Sequence, residues 1–80
     1  VALNGLLYFT ANDGVNGEEL WKSDGTTVGT TLIADIFLGN SSSSPENIVA
    51  LGNDVIFSAN DGINGKELWK TDGTFVISIL

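Results

Sequence analysis

Asn12-Asp13-Gly14-Val15-Asn16-Gly17-Glu18-Glu19-Leu20-Trp21-Lys22-Ser23-Asp24-Gly25-Thr26 returns as Asn60-Asp61-Gly62-Ile63-Asn64-Gly65-Lys66-Glu67-Leu68-Trp69-Lys70-Thr71-Asp72-Gly73-Thr74, each residue displaced by 48 positions. Laying 1–28 over 49–76 leaves 18 of 28 positions identical, and the mismatches Val15/Ile63, Ser23/Thr71 and Thr10/Ser58 are near-isosteric. A string this long returning at one spacing marks a tandem repeat. A period in the forties is the length of one four-stranded propeller blade, so the function has to be read from the array rather than from any single residue.

Outward from that string, short β-prone runs alternate with turn residues: 6–11, 19–23, 30–37, 47–51, 54–59, 67–71 and 75–80, with 1–3 as a clipped first strand. Asn4-Gly5 and Gly52-Asn53 read as two-residue hairpin turns, and 12–17 and 60–65 as longer Asn/Asp/Gly hairpin loops. Eight strands then fall into two up-and-down sets of four. The serine run Ser41–Ser44 with Pro45 is the only polar low-complexity stretch and reads as the connection between them, so 1–40 form the first unit and 41–80 the connection plus the second. Apolar neighbours stand side by side in Tyr8-Phe9, Leu20-Trp21, Leu32-Ile33, Val55-Ile56-Phe57 and Leu68-Trp69. Successive strand residues point to opposite faces, so both faces of each sheet need cover. Stacked blades provide that cover, whereas a β-sandwich leaves its outer faces wet and predicts cleaner alternation. No helical period appears, and the expected class is all-β, two four-stranded antiparallel propeller blades.

Composition limits the rest. Eighty residues make a small core without disulfides, since the chain has no cysteine, and without zinc or histidine acid–base chemistry, since it has no histidine. Stabilisation must come from association. Ten acidic residues against three lysines give a net charge of −7, which disfavours nucleic acid and anionic lipid by repulsion. No run approaches the roughly 20 apolar residues of a membrane-spanning helix, so no membrane insertion is expected.

The string Glu-Leu-Trp-Lys-Ser-Asp-Gly-Thr-Thr-Val-Gly-Thr at 19–30 resembles the ELWxxDGT repeat, which occurs in long arrays in large bacterial proteins. The likeness extends to Ala-Asn-Asp-Gly-Val-Asn-Gly at 11–17, to Ala-Asp-Ile at 34–36 with Gly39, and to the serine run with Pro45. It implies β-propeller repeats, an extracellular or cell-surface setting, and no transferable catalytic residue. The end of the chain departs from the pattern: 75–80 lacks the second Gly-Thr and the Ala-Asp-Ile, and carries no charge, proline or glycine.

Several motifs invite chemistry. Asp24-Gly25-Thr26 and Asp72-Gly73-Thr74 read as turns in which Asp accepts backbone N–H groups, similar to Asp-box hairpins. Trp21 and Trp69 are the candidate ligand-binding residues, since an indole face can stack on a sugar ring; as strand residues beside Leu they read first as packing groups. Repeat equivalence predicts that both are largely buried in matching environments. Asn12, Asp13, Asn60 and Asp61 are the candidate metal ligands, oxygen-rich enough for calcium, although Lys66 replaces Glu18 in the second loop. No His, Cys, Arg or Gly-x-Ser-x-Gly elbow supports catalysis, and no catalytic residue is assigned. The function expected is a non-enzymatic structural module that pairs with itself as a homo-oligomer or filament, with glycan binding between blades and a calcium-stabilised surface matrix as competing readings.

Overall fold

The computed structural model describes residues 1–39 and 41–79. They are all-β, in two four-stranded antiparallel sheets, and among them no helix forms. The first sheet runs β1 (Ala2–Leu3), β2 (Leu6–Asn12), β3 (Glu18–Ser23) and β4 (Thr31–Ala34). The second runs β5 (Glu46–Leu51), β6 (Asp54–Asn60), β7 (Lys66–Thr71) and β8 (Val76–Ser78). In both, spatial order equals chain order, as hairpin-sized loops require.

The turns follow their residues. Asn4 and Gly5 both take left-handed backbone, φ 53° and 80°, the pattern of a type I′ hairpin, whose twist matches that of its strands. At the matching turn of the second sheet only Gly52 is left-handed, φ 62°, as the swapped order Gly-Asn and a type II′ turn demand. Register repeats across the two central hairpins, with Phe9 opposite Trp21 and Phe57 opposite Trp69.

Two strands are shorter than the sequence suggests. The run 30–37 yields strand only over Thr31–Ala34, because Asp35 turns the chain so that the Ile36 N–H reaches the Glu19 carboxylate at 2.8 Å and the Gly39 N–H reaches Asp35 Oδ2 at 3.0 Å. The run 75–80 yields only Val76–Ser78: Thr71 Oγ1 donates to the Phe75 carbonyl at 2.7 Å and holds that residue in the turn. Leu80 lies outside the described residues. β8 pairs with β7 and closes that sheet's edge, yet Ile77 and Ile79 stay exposed. A feature with no turn signal in the sequence is the bulge in β5, where Asn47 is left-handed at φ 55° and the register shifts between Glu46 and Val49.

The sheets stack on each other. One core cluster, Tyr8, Leu20, Val55, Phe57 and Ala59, takes members from both, with Leu3, Leu6, Ile33, Ile36, Ile48, Trp69 and Val76 packed around it. The sequence pattern of paired apolar residues is therefore explained on one face of each sheet; the other face of each carries the exposed apolar residues.

Candidate interaction surface

In β2 and β3 the register places Tyr8 opposite Lys22 and Thr10 opposite Leu20, so these four share the face of the first sheet that meets the second. In β6 and β7, Val55 lies opposite Thr71, Phe57 opposite Trp69 and Ala59 opposite Glu67, and these form the face that meets the first sheet. The apolar centre of this junction is dry: Leu20, Val55, Phe57 and Ala59 have no exposed surface. Removing an aromatic ring and three aliphatic side chains from water is its main source of stability, at about 1.5–3 kcal/mol for each large side chain.

Polar keys set its register. Lys22 Nζ donates to the Gly73 carbonyl across the junction. Gly73 is left-handed at φ 98°, and a Cβ placed there would stand 2.7 Å from the Tyr8 hydroxyl, so only glycine lets the turn come this close. Burial raises the Tyr8 phenol above its ordinary value, and the Asp72 carboxylate adds to the effect. A second close approach lies at the sheet ends, where the Phe37 ring would be 2.7 Å from a Cβ on Gly62.

The serine connection is clamped rather than loose. Glu19 is fully buried, and its carboxylate accepts the Ile36 N–H at 2.8 Å, the Ser43 N–H at 3.1 Å and the Ser43 hydroxyl at 2.7 Å. Burial nevertheless raises the Glu19 carboxyl above its ordinary value, with those hydrogen bonds opposing. Ser43 also passes its carbonyl to the Asn60 N–H at 2.9 Å, and Thr10 Oγ1 donates to the Pro45 carbonyl at 3.1 Å, so the connection bonds both sheets. The sequence reads the serine run as the connection between the two units but carries no sign of its capture by Glu19 or of the Lys22 crossing, because a short polar stretch reads the same whether or not its backbone is held.

Displacement by 48 residues carries the junction residues of β2, β3, β6 and β7 onto an outer face. Leu20 is 0% exposed and its counterpart Leu68 is 39%; Val55 is 0% and its counterpart Leu7 is 49%. Phe57 and Ala59 are buried where Phe9 and Ala11 are half-buried. Val76 of β8 packs on the core, while Val28, 48 residues earlier, stands 92% exposed in the turn between β3 and β4. Tyr8 and Lys22 correspond to Ile56 and Lys70 on the outer face of the second sheet. That face therefore resembles the first sheet's inner face, with Asp54 in place of Leu6 and Ile56 in place of Tyr8, and the first sheet's outer face resembles the second sheet's inner one, with Leu7 in place of Val55.

The candidate ligand residues sit apart from that pattern. Trp21 and Trp69 hold matching register positions, but both are half-buried rather than largely buried. Trp69 packs on the core and its Nε1–H donates to the Ala59 carbonyl of the neighbouring strand at 3.2 Å, whereas the Trp21 Nε1 is buried with no partner. Trp69 helps line a groove between the sheets with Asp35, Phe37, Asp61 and Ile63. Asn12, Asp13, Asn60 and Asp61 lie in their hairpin loops and spend their oxygens on the backbone. Asp13 Oδ1 accepts the Val15 and Asn16 N–H groups, both at 2.8 Å, and Asp61 Oδ1 accepts those of Ile63 and Asn64, both at 2.9 Å. Asn12 and Asn60 each accept the glycine N–H two residues on, at 2.8 Å. These bonds lower the Asp13 and Asp61 carboxyls below their ordinary values, and bonds from Thr26 and Thr74 do the same for Asp24 and Asp72 in the Asp-Gly-Thr turns. Among the described residues no group of three or more acidic, His or Cys side chains converges as a metal would need. Neither a family model, nor a curated protein, nor a solved structure matches this chain.

Proposed function

We propose that this chain is a two-blade β-propeller module of the ELWxxDGT type, non-enzymatic, working at a bacterial cell surface or outside the cell as a structural unit that associates with further copies of itself through its sheet faces. The observation that carries this reading is the correspondence of faces: at 48-residue spacing, most residues of β2, β3, β6 and β7 on each outer face match a residue type that the chain buries inside its own junction. Leaving Leu7, Val28, Leu51, Leu68 and Ile77 in water is costly for a small domain, and faces of this kind usually mark association sites. The measurement is solution mass by light scattering over a range of protein concentration. A mass that rises to a multiple of the 8.4 kDa protomer is expected; a monomer at every concentration refutes the reading.

The groove beside Trp69 favours a second reading, carbohydrate binding. It combines two aromatic rings, Trp69 and Phe37, with the carboxylates of Asp35 and Asp61, and Asp35 Oδ1 is buried without a hydrogen-bond partner. A glycan array separates the two: selective binding lost in Trp69→Ala supports the sugar site, and silence across the array removes it.

A further inference from the structure

Association could match faces in two ways. An isologous pair sets one face against the same face of a partner, and stops at two copies. A heterologous pair sets unlike faces together, and runs on as a ring or filament. The internal junction decides between them, because it is itself a contact of unlike faces. Tyr8, Leu20 and Lys22 on one side meet Val55, Phe57, Ala59 and the Gly73 turn on the other.

Resting on the self-association reading, we propose that copies join head to tail, the outer face of the second sheet (Ile56, Leu68, Lys70) seating on the outer face of the first sheet of the next copy (Leu7, Phe9, Ala11, Trp21) and on its 24–29 turn, which carries Val28, with Lys70 Nζ donating to the Gly25 carbonyl of that copy. The occupant of each face is thus a second copy of this chain, in one orientation.

Three observations support this register. Shifting both partners of the Lys22–Gly73 bond by 48 gives Lys70 and Gly25, and both residue types are kept. Lys22 lies close enough to Asp72 for its charge to act on that carboxylate, and the same shift gives Lys70 and Asp24. Lys70 lines a shallow depression on the second sheet with Asp54, Asp72, Phe75 and Ile77, open to an incoming turn. Packing volume also balances. Tyr8 and Val55 in the internal core become Ile56 and Leu7, one side chain smaller and the other larger. An isologous contact of second sheets sets Lys70 against a copy of its own face, a pairing for which the internal junction gives no precedent.

The test uses two full-length double variants, each altered only at residues exposed in the protomer. Leu7→Glu with Val28→Glu disables the first face, and Leu68→Glu with Ile77→Glu disables the second; circular dichroism checks that each stays folded. Wild type should be oligomeric, each variant alone monomeric, and a one-to-one mixture should form a heterodimer of twice the protomer mass, since one variant keeps the head and the other keeps the tail. Adding Lys70→Gln to the first-face variant should weaken that heterodimer roughly 10- to 100-fold, the worth of one hydrogen bond from a charged group. Either variant dimerising alone, or a mixture that stays monomeric beside an oligomeric wild type, overturns the head-to-tail arrangement and leaves self-association standing. A monomeric wild type removes both.

Discussion

Replacing Glu19 with Ala, beside the same change at Glu67, measures how much the clamp on the serine connection contributes. Glu19 holds three donors, the N–H groups of Ile36 and Ser43 and the Ser43 hydroxyl, all on segments with little room for water. An orphaned buried donor costs about 1–3 kcal/mol. Two of the three have a fallback, since the Ser43 N–H also reaches the Glu18 carbonyl at 3.0 Å and the Ser43 hydroxyl lies 3.3 Å from the same oxygen. The Ile36 N–H bonds only to the carboxylate. Burying the Glu19 charge itself opposes folding, and truncation recovers part of that. The net loss should therefore be about 2–4 kcal/mol, against a total of roughly 4–12 kcal/mol for a chain this size. Glu67 is half-buried and holds no such connection, so Glu67→Ala should cost under about 0.5 kcal/mol. Urea unfolding followed by tryptophan fluorescence, at one fixed protein concentration so that association does not shift the midpoint, reads both. Equal losses for the two variants, or less than about 1 kcal/mol for Glu19→Ala, would refute the clamp.

Phe57→Ala should cost about 3–5 kcal/mol in urea unfolding, because the ring is wholly buried between the sheets, while Phe9→Ala should cost the isolated protomer far less and show its effect in solution mass instead. Gly73→Ala adds a Cβ against the Tyr8 hydroxyl to the strain of a left-handed residue, and should lower stability by more than Gly25→Ala, where the added Cβ meets nothing within 4 Å; equal midpoints would refute the close approach. The lowered carboxyls of Asp13, Asp24, Asp61 and Asp72 give stability that is present above their ordinary value of 3.8 and lost as pH falls through the lower folded-state values. Glu19, raised by burial, works with opposite sign: its share is present below 4.5 and lost as pH rises through the folded value. Urea midpoints should thus drop below about pH 3.8 in wild type, and Asn at the four aspartates, which keeps an acceptor without titrating, should flatten that drop. Chelator should leave the thermal midpoint unchanged, since the loop oxygens already serve backbone donors; a lowered midpoint would restore the calcium reading.

How far the sequence foretold this arrangement depends on whether a property is local. Eight strands and their pairing were legible because Asn-Gly, Gly-Asn and the Asp-Gly loops fix hairpins within a few residues, and because a repeat forces two sheets to share one register. The ends of β4 and β8 were not, since those strands stop where a distant carboxylate captures Ile36 and where a threonine hydroxyl captures Phe75. The left-handed Asn47 was missed because it opens the run read as strand, although asparagine does favour left-handed backbone. Candidate residues chosen by type alone divided similarly. The indoles and loop aspartates are conspicuous in the string yet serve packing and turns, whereas the lysine that crosses the junction looks in sequence like any solvated charge.

Because β3 and β7 share the run Glu-Leu-Trp-Lys, the backbone ladder alone does not tell β2 from β6 while the chain is still folding. A strand from one repeat could zip onto the hairpin partner of the other, or onto that of a neighbouring nascent chain, with every amide satisfied; tandem repeats are prone to this kind of misassembly. Four of the ten differences between the copies fall on β2 and β6, Leu7/Val55 and Tyr8/Ile56 among them, while the loops that follow are nearly unchanged. In a swapped product, the bulky phenol would sit in the second sheet, away from the Gly73 turn that has room for it, and isoleucine would stand where that phenol belongs. Divergence at these few side chains therefore acts as a proofreading device, penalising the wrong zipper while leaving the turn chemistry that nucleates each hairpin intact.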